Sequence, residues 1–297
     1  MNKQALFCDG TGVYVIPPEP VENQKIILRF RTAKDDVQEV KVVTSEACFS
    51  MEKGQSSEVF DYYNTRIQIG NEPLKYHFEI RGNDGEVVYF NRYGVVKEPM
   101  KTYEFVLIPN FSTPEWAKGA VMYQIYTDRF YNGDPDNDVV TGEYYYLGAR
   151  SEKVEDWNQK PAKAMAIREF YGGDLQGVLD KLDYLQELGV EVIYFNPLFV
   201  SPSNHKYDIQ DYDYIDPHFG RIVKDGGEIL PEECADNSQA TKYQVRSAGK
   251  ANLEASNQFF AHVVEEIHRR GMKVILDGVF NHCGSFNKWM DREKIYL

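Results

Sequence analysis

The chain has 297 residues, a formal net charge of −13 and a pI near 5.0, which argues against nucleic acid, because phosphate is bound by clustered Lys and Arg. No apolar run of 18 residues is present to span a membrane, and the start MNKQALFCDGTG lacks the apolar stretch of a signal peptide. The four scattered cysteines form no Cys-x-x-Cys pair, so the sequence predicts free thiols and a cytoplasmic protein.

Short β-rich runs separated by turn residues occupy residues 1 to about 112. The runs are KIILRFRT (25–32), VQEVKVVT (37–44), DYYNTRIQIG (61–70), LKYHFEI (74–80), EVVYFN (86–91) and YEFVLI (103–108). In the fourth run Tyr76, Phe78 and Ile80 alternate with polar residues and can share one face. This spacing predicts an antiparallel β-sandwich. The proline-containing stretch that follows places the domain boundary between residues 112 and 113.

The pattern changes after Trp116, where strand-like and helix-like segments alternate. The segments are AVMYQIY (120–126), the helix GDLQGVLDKLDYLQELG (173–189), VEVIYFNPLF (190–199), a long loop (201–249), the helix LEASNQFFAHVVEEIHRRG (253–271) and KVILDGV (273–279). The strand-like segments are apolar on both faces, which is typical of a buried parallel sheet. The order therefore predicts a β-α-β-α-β arrangement.

Each predicted helix carries an apolar stripe. In the first helix the stripe is Leu175, Val178, Leu179, Leu182, Leu185 and Leu188. Asp174 stands at its N-cap position and Gly189 just after its end. In the second helix the stripe is Phe260, Val263, Val264 and Ile267.

Polar residues follow all three predicted strands. Asp128 follows the first strand, the stretch NPLFVSPSNHKYD follows the second, and Asp277 and His282 follow the third. Taken singly, Asp277 could cap a turn and His282 could be a buried histidine with its hydrogen bonds made. Because the carboxyl ends of parallel strands gather at one edge of a sheet, three strands ending alike favour a functional cleft.

These stretches resemble the α-amylase family of glycoside hydrolases, in particular the neopullulanase, cyclomaltodextrinase and maltogenic amylase group. The resemblance rests on FYGGDLQGVLDKLDYLQELGV, YFNPLFVSPSNHKYDIQDYDYIDPHFG and GMKVILDGVFNH. It implies an immunoglobulin-like, starch-binding type β-sandwich at residues 1–112. Residues 113–297 would then form the first part of a (β/α)8 TIM barrel, with strands one to three.

The resemblance also implies roles for single residues. His282 would hydrogen-bond the sugar at the cleavage subsite, and Asp277 would support the site. Tyr207 would stack on the same sugar, with His205 and Asp208 beside it. A pyranose offers an apolar face to an aromatic ring and hydroxyl groups to histidine and carboxylate, so these residue types suit the task.

The stretch NGDPDND (132–138) is rich in oxygen ligands. By itself such a run is more typical of a plain turn. The resemblance implies that this loop holds a calcium ion, which takes six to eight oxygen ligands. The implied ligands are Asn132, Asp134, Asn137, Asp138, the carbonyl of Gly172, and Asp174.

The sequence offers no candidate for the residues that break the bond. Retaining hydrolysis needs a nucleophile and a general acid, and no Arg-x-Asp motif of the family occurs. Three strands cannot close a barrel of eight. We therefore expect a truncated enzyme without activity of its own, the N-terminal portion of a hydrolase of α-1,4 and α-1,6 links in maltooligosaccharides, cyclodextrins or pullulan.

Other hypotheses stay open at this stage. The chain could be a non-catalytic carbohydrate-binding or dimerisation module, with Tyr62, Tyr63 and Tyr76 in place of the tryptophans that starch-binding modules often show. The resemblance implies a homodimer for the full-length enzyme. A hydrolase or transferase of other glucosides is the more distant alternative. The loop 219–252 is polar and Gly-rich, so it is expected to be solvated, and no role is assigned to it.

Overall fold

The computed structural model describes residues 1–162 and 166–296. The chain forms two compact units, Met1–Lys118 and Gly119–Leu297, so the division falls a few residues after the predicted boundary. In the described ranges no helix has the length and apolar character to cross a membrane.

The first unit is a sandwich of two antiparallel sheets, as the sequence predicted. Its strands are β1 (Val15–Ile16), β2 (Lys25–Ala33), β3 (Val37–Thr44), β4 (Cys48–Ser50), β5 (Glu52–Ser56), β6 (Phe60–Gln68), β7 (Leu74–Gly82), β8 (Val87–Asn91), β9 (Gly94–Val96) and β10 (Phe105–Leu107). One sheet has the order β1-β2-β6-β5. The other has the order β4-β3-β7-β8-β9, with β10 paired to β7.

The core of the sandwich confirms the predicted alternation in β7. Tyr76, Phe78 and Ile80 are each 0% exposed. The ring of Phe78 lies 4.5 Å from the ring of Phe30 on β2, measured between centroids. This aromatic contact joins the two sheets, and the buried rings supply much of the apolar area that stabilises the unit.

The second unit is built on a three-stranded parallel sheet. The strands of the whole unit are β11 (Met122–Ile125), β12 (Tyr145–Tyr146), β13 (Ala149–Arg150), β14 (Glu152–Lys153), β15 (Glu169–Phe170), β16 (Val192–Phe195), β17 (Phe199–Val200), β18 (Asp211–Ile215) and β19 (Lys273–Leu276). Its helices are α1 (Leu175–Asp180), α2 (Leu182–Glu187), α3 (Thr241–Ser247) and α4 (Lys250–Arg269). The order β11-β16-β19, with both pairings parallel, confirms the predicted arrangement. Within the residues that the structure describes, β11, β16 and β19 form an open sheet and do not close into a barrel.

The prediction of the first helix is wrong in one respect, because the structure has two short helices, α1 and α2, in place of one. Lys181 separates α1 from α2 with φ −107° and ψ 5°, outside the helical region. Asp174 is the N-cap, and its carboxylate accepts a hydrogen bond from the Gly177 amide at 2.6 Å. Leu182 and Leu185 are buried as predicted, whereas Leu188 lies past the end of α2 and is 54% exposed.

Helix α4 begins at Lys250, earlier than the predicted start at residue 253. Val263 and Ile267 are buried, in agreement with the predicted stripe. Phe259, which the prediction left out, completes the buried row because it lies one helical turn before Val263.

The loop 219–252 was expected to be solvated, and the structure shows otherwise. Helix α3 lies within it, and Leu230 and Tyr243 are 0% and 1% exposed. The Tyr243 ring packs 4.2 Å from the ring of Tyr144, between centroids. The prediction failed because most of the segment is polar and its few apolar anchors are widely spaced.

Candidate functional site

The carboxyl ends of the three central strands lie side by side, as the sequence predicted. Ile125 pairs with Phe195, and Phe195 pairs with the last residue of β19. The next residue of each strand continues this register. The Asn196 amide donates to the Ile125 carbonyl at 3.0 Å, and the Asp277 amide donates to the Phe195 carbonyl at 3.3 Å. One edge of the sheet therefore presents polar groups from separate strands.

Asp277 and Tyr207 meet at this edge although 70 residues separate them in the chain. The Tyr207 hydroxyl donates to Asp277 Oδ2 at 2.9 Å, and the Tyr194 hydroxyl donates to the same oxygen at 3.0 Å. Burial, reinforced by the hydrogen bond to this carboxylate, raises the pKa of Tyr207 to about 12. Both phenols therefore stay protonated at neutral pH and can act as donors to the carboxylate.

Tyr194 was missed by the sequence analysis. It lies within β16, whose other residues, Val192, Ile193 and Phe195, are buried. A signal was present: a single tyrosine with a polar tip in an otherwise apolar strand needs a hydrogen-bond partner. The sequence alone did not indicate that this partner would be Asp277.

His205 and Asp208 shape the segment that carries Tyr207. His205 Nδ1 accepts a hydrogen bond from the Tyr207 amide at 3.0 Å. Asp208 Oδ1 accepts from the hydroxyls of Ser201, at 2.6 Å, and Ser203. Burial lowers the pKa of His205, so the neutral imidazole is favoured. Both predicted residues thus lie beside Tyr207 and fix its backbone.

His282 lies apart from the hydrogen bonds that join Tyr207 and Tyr194 to Asp277. Its side chain is exposed, and Nδ1 is 3.1 Å from Nδ2 of its neighbour Asn281. Its backbone carbonyl accepts from the Tyr212 hydroxyl at 2.7 Å. In the described part of the chain the imidazole makes no hydrogen bond to Asp277 or Tyr207, so the role implied for His282 stays a prediction.

A buried lysine next to Tyr207 was also missed. The Lys206 ammonium donates to Asp216 Oδ2 at 2.6 Å and to the Ser201 carbonyl at 2.9 Å. Its side chain is 1% exposed and that of Asp216 is 0% exposed. A charge this deep is tolerated only when it is paired, so the ion pair anchors the segment that presents Tyr207.

The Asp216 carboxylate also belongs to a wider network of ion pairs and hydrogen bonds. Asp216 Oδ1 is 2.9 Å from His218 Nδ1, and His218 Nε2 is 2.8 Å from Glu143 Oε1. Arg246 donates to Glu143 at 3.3 Å and to Asp225 at 2.7 Å. Burial opposes the charged imidazole, but the carboxylates of Glu143 and Asp216 raise the pKa of His218 above its ordinary value. The network connects the site to the segment around residue 225.

The structure brings the predicted calcium ligands together from two segments, residues 132–138 and 172–174, and their carboxylates already accept hydrogen bonds or pair with cationic side chains. Asp174 Oδ1 accepts from the amides of Gly133, at 3.2 Å, and Gly177, at 2.6 Å. Its Oδ2 accepts from the Asp134 amide at 2.8 Å and from Asn137 Nδ2 at 3.1 Å. Four donors on one carboxylate leave it little capacity for a metal ion.

Two of the remaining predicted ligands, Asp134 and Asp138, are also engaged, whereas the side-chain oxygens of Asn132 and Asn137 are not. Asp138 accepts from Asn132 Nδ2 at 2.9 Å and pairs with the Lys153 ammonium at 2.7 Å, and Asp134 pairs with Arg221. The buried Oδ1 atoms of Asn132 and Asn137 have no hydrogen-bond partner. Among the described residues no group of three or more His, Cys, Asp or Glu could hold a metal ion. Calcium also takes amide and carbonyl oxygens as ligands, so the calcium site implied by the resemblance stays a prediction.

Comparison with known families covers both units. Residues 124–232 and 255–295 match the family described as "Alpha amylase, catalytic domain". Residues 1–109 match the family described as "Alpha amylase, N-terminal ig-like domain". The two matches agree with the sandwich and the partial barrel fold that the sequence predicted.

Curated relatives point to the same group. The chain is 36% identical to Neopullulanase 2 of Thermoactinomyces vulgaris, over 96% of this chain and 42% of that protein. It is 34% identical to a cyclomaltodextrinase of Thermoanaerobacter pseudethanolicus, over 96% of this chain and 43% of that protein. The chain therefore spans less than half the length of these relatives.

Two solved structures are similar to this chain over nearly all of its length. A cyclomaltodextrinase structure is 28% identical and superposes with a TM-score of 0.51, over 97% of this chain and 42% of that one. The type III pullulan hydrolase of Thermococcus kodakarensis, at 24% identity and a TM-score of 0.52 over 98% of this chain and 45% of that one, shows the shared fold. The chain belongs to the α-amylase family.

Proposed function

We propose that the chain supplies the sugar-binding wall of the active site in an α-glucan hydrolase. The observation that carries the proposal is the hydrogen bond between Tyr207 and Asp277, which brings an aromatic ring and a carboxylate from distant segments to one strand-end rim. Rims of this kind carry the active sites of parallel α/β folds. The names of the relatives, neopullulanase and cyclomaltodextrinase, support an α-glucan as the substrate. That the bonds acted on are α-1,4 and α-1,6 links is part of the proposal.

The residues fit a glucose unit in the following way. The ring of Tyr207 would lie against the apolar face of the pyranose, and Asp277 would accept a hydrogen bond from a sugar hydroxyl. The hydroxyl of Tyr194 keeps one oxygen of Asp277 occupied, so the carboxylate is held in a fixed orientation. We assign no catalytic residue in this chain, since the sequence holds no candidate nucleophile motif.

Glucan binding tests the proposal. Isothermal titration calorimetry with maltoheptaose should show binding by the chain, and Tyr207→Ala should weaken it by about tenfold or more, since about 1.4 kcal/mol is a factor of ten. The matched control is Tyr184→Ala, a tyrosine of α2 that is 53% exposed. Equal affinity of Tyr207→Ala and the unsubstituted chain would refute the assignment.

Hydrolysis is the second readout. The purified chain should release no reducing sugar from maltooligosaccharides, pullulan or cyclodextrins, because the two carboxylates of retaining hydrolysis have no candidates here. Clear turnover by pure material would show that this part of the proposal is wrong.

The alternative, a carbohydrate-binding or dimerisation module centred on the sandwich, gains no support from two of its three tyrosines, and only Tyr62 is half-buried. Tyr63 and Tyr76 are 6% and 0% exposed, so they pack in the core and cannot form a sugar platform. The homodimer and the cytoplasmic location remain predictions. The calcium ion implied by the resemblance also stays a prediction, and the proposed sugar-binding role does not depend on it.

A further inference from the structure

Three aromatic rings form a row on the rim at the strand ends, separate from Tyr207. The ring of Trp289 stacks on the ring of Tyr212, with 5.7 Å between the centroids and 15° between the planes. The ring of Phe199 lies 6.3 Å from the ring of Tyr212, also between centroids. The three residues come from three different segments of the chain, so the fold assembles this aromatic row.

The aromatic row is open to solvent at its Trp289 end. The side chain of Trp289 is 73% exposed although one of its faces packs on Tyr212. Tyr212 and Phe199 are half-buried and support it from below. A single exposed aromatic residue is ordinary on a protein surface, whereas a contiguous apolar patch often marks a binding site. The stacked rings form a patch of that kind.

Hydrogen bonds and an ion pair hold Trp289 in place. Asn287 is 0% exposed, and its Oδ1 accepts from the Trp289 amide at 3.0 Å while its Nδ2 donates to the Ile209 carbonyl at 3.1 Å. The Lys288 ammonium pairs at 2.6 Å with Asp211 on β18, the strand that carries the central tyrosine of the row. Because the segment is fixed before a ligand arrives, little conformational freedom is lost on binding.

The same segment limits the distance between the aromatic row and Tyr207. The Lys288 amide donates to the Gln210 carbonyl at 2.9 Å. Gln210 comes three residues after Tyr207, and three residues span at most about 11 Å. The backbones of Tyr207 and Trp289 are therefore within about 20 Å of each other. A short oligosaccharide can reach both.

The aromatic row is also joined to the end of β19. The Tyr212 hydroxyl donates to the carbonyls of Val279, at 3.0 Å, and His282, at 2.7 Å. Val279 follows Asp277 by two residues, so the row lies on the same rim as the Asp277 carboxylate. The exposed imidazole of His282 can exchange hydrogen bonds with a sugar hydroxyl. The rim thus combines an apolar ring face with polar groups, as a pyranose requires.

We propose that Trp289, backed by Tyr212, is a second sugar contact of this rim and binds a further glucose unit of the glucan that Tyr207 contacts. The inference rests on the proposed function, which assigns no role to Trp289. An α-glucan repeats the same pyranose along its length, so two fixed rings can bind two of its units at once. The second contact then forms at a high effective concentration and adds to the affinity for longer oligosaccharides.

Calorimetric titration with maltoheptaose measures this contribution. Trp289→Ala should weaken the binding of maltoheptaose by about fivefold or more, and Trp289→Phe, which keeps an aromatic ring, should retain most of the affinity. Trp116→Ala is the matched control, because Trp116 is a 46% exposed tryptophan of the first unit, and this variant should bind like the unsubstituted chain.

The outcomes separate this inference from the proposed function. Weaker binding by Tyr207→Ala but not by Trp289→Ala would overturn the inference alone. Weaker binding by Trp289→Ala but not by Tyr207→Ala would support the contact at Trp289 and overturn the assignment of Tyr207. If the unsubstituted chain bound no maltoheptaose, both would be overturned.

A second measurement uses the unsubstituted chain, so it does not depend on the folding of a variant. Oxidation of tryptophan by N-bromosuccinimide, followed by mass spectrometry of peptides, should modify Trp289 more slowly when maltoheptaose is present. Trp116 should react at the same rate with and without the sugar. Oxidation of Trp289 that maltoheptaose does not slow would contradict the inference.

Discussion

Replacing Lys206 by methionine is the substitution that most directly tests how the rim is held in place. The Lys206 ammonium pairs with Asp216 at 2.6 Å, and both side chains are buried. Removing one partner of a buried pair costs about 3–5 kcal/mol, because the other charge is left without compensation. Lys206 has φ +61°, and methionine meets the same backbone strain as lysine there, so the change isolates the lost charge.

The structure places the expected cost at the lower end of that range. Asp216 keeps hydrogen bonds from the Ser201 amide at 3.1 Å and from the amide and Nδ1 of His218, both at 2.9 Å. We therefore expect a loss of about 3 kcal/mol in the free energy of unfolding. For a unit of this size that loss corresponds to a fall of about 6–12 °C in melting temperature.

Urea denaturation followed by tryptophan fluorescence measures this loss. Two of the three tryptophans, Trp157 and Trp289, lie in the unit that contains Lys206. The control Lys250→Met removes only an exposed pair with Glu254 and should cost no more than about 0.5 kcal/mol. A loss below about 1 kcal/mol for Lys206→Met would refute the reasoning.

Two further predictions concern the network around His218 and the core of the sandwich. The pKa of His218 is raised above its ordinary value of 6.5, so its stabilisation is fully present below pH 6.5 and is lost as the pH rises through the raised pKa. The stability lead of the unsubstituted chain over His218→Gln should therefore shrink between neutral and alkaline pH in urea titrations, and a constant difference would contradict this. In the sandwich, Phe78→Ala should lower the free energy of unfolding by about 3–5 kcal/mol, because the Phe78 ring is fully buried and packs on Phe30. Thermal melts followed by circular dichroism measure this loss, and a loss under about 1 kcal/mol would mean that the core repacks.

Local pattern predicted much of the fold. The alternation of Tyr76, Phe78 and Ile80 determines which face of β7 is buried, because side chains in a strand point to opposite faces in turn. The break at Lys181 was not predictable in this way, since the leucine stripe runs through it without interruption. Long-range pairing explains the failure at the loop 219–252, where Arg246 binds Glu143 from a distance of 103 residues in the chain.

The residues of the candidate site fall into the same two groups, those that were predicted and those that depend on long-range contacts. The resemblance supplied Tyr207 and Asp277, and the register of the strands explains why they meet. It did not supply Tyr194, whose partner lies 83 residues away.

The measurement that tests the central claim most directly is the activity of a chimera. This chain would replace the matched stretch of Neopullulanase 2 from Thermoactinomyces vulgaris, and pullulan hydrolysis would be compared with and without Asp277→Asn. The chimera should hydrolyse pullulan, and Asp277→Asn should lower kcat/KM by about 10–150-fold, since a hydrogen bond to a charged group is worth about 1.5–3 kcal/mol. Equal activity of the two chimeras would contradict the claim that Asp277 serves a sugar-binding site.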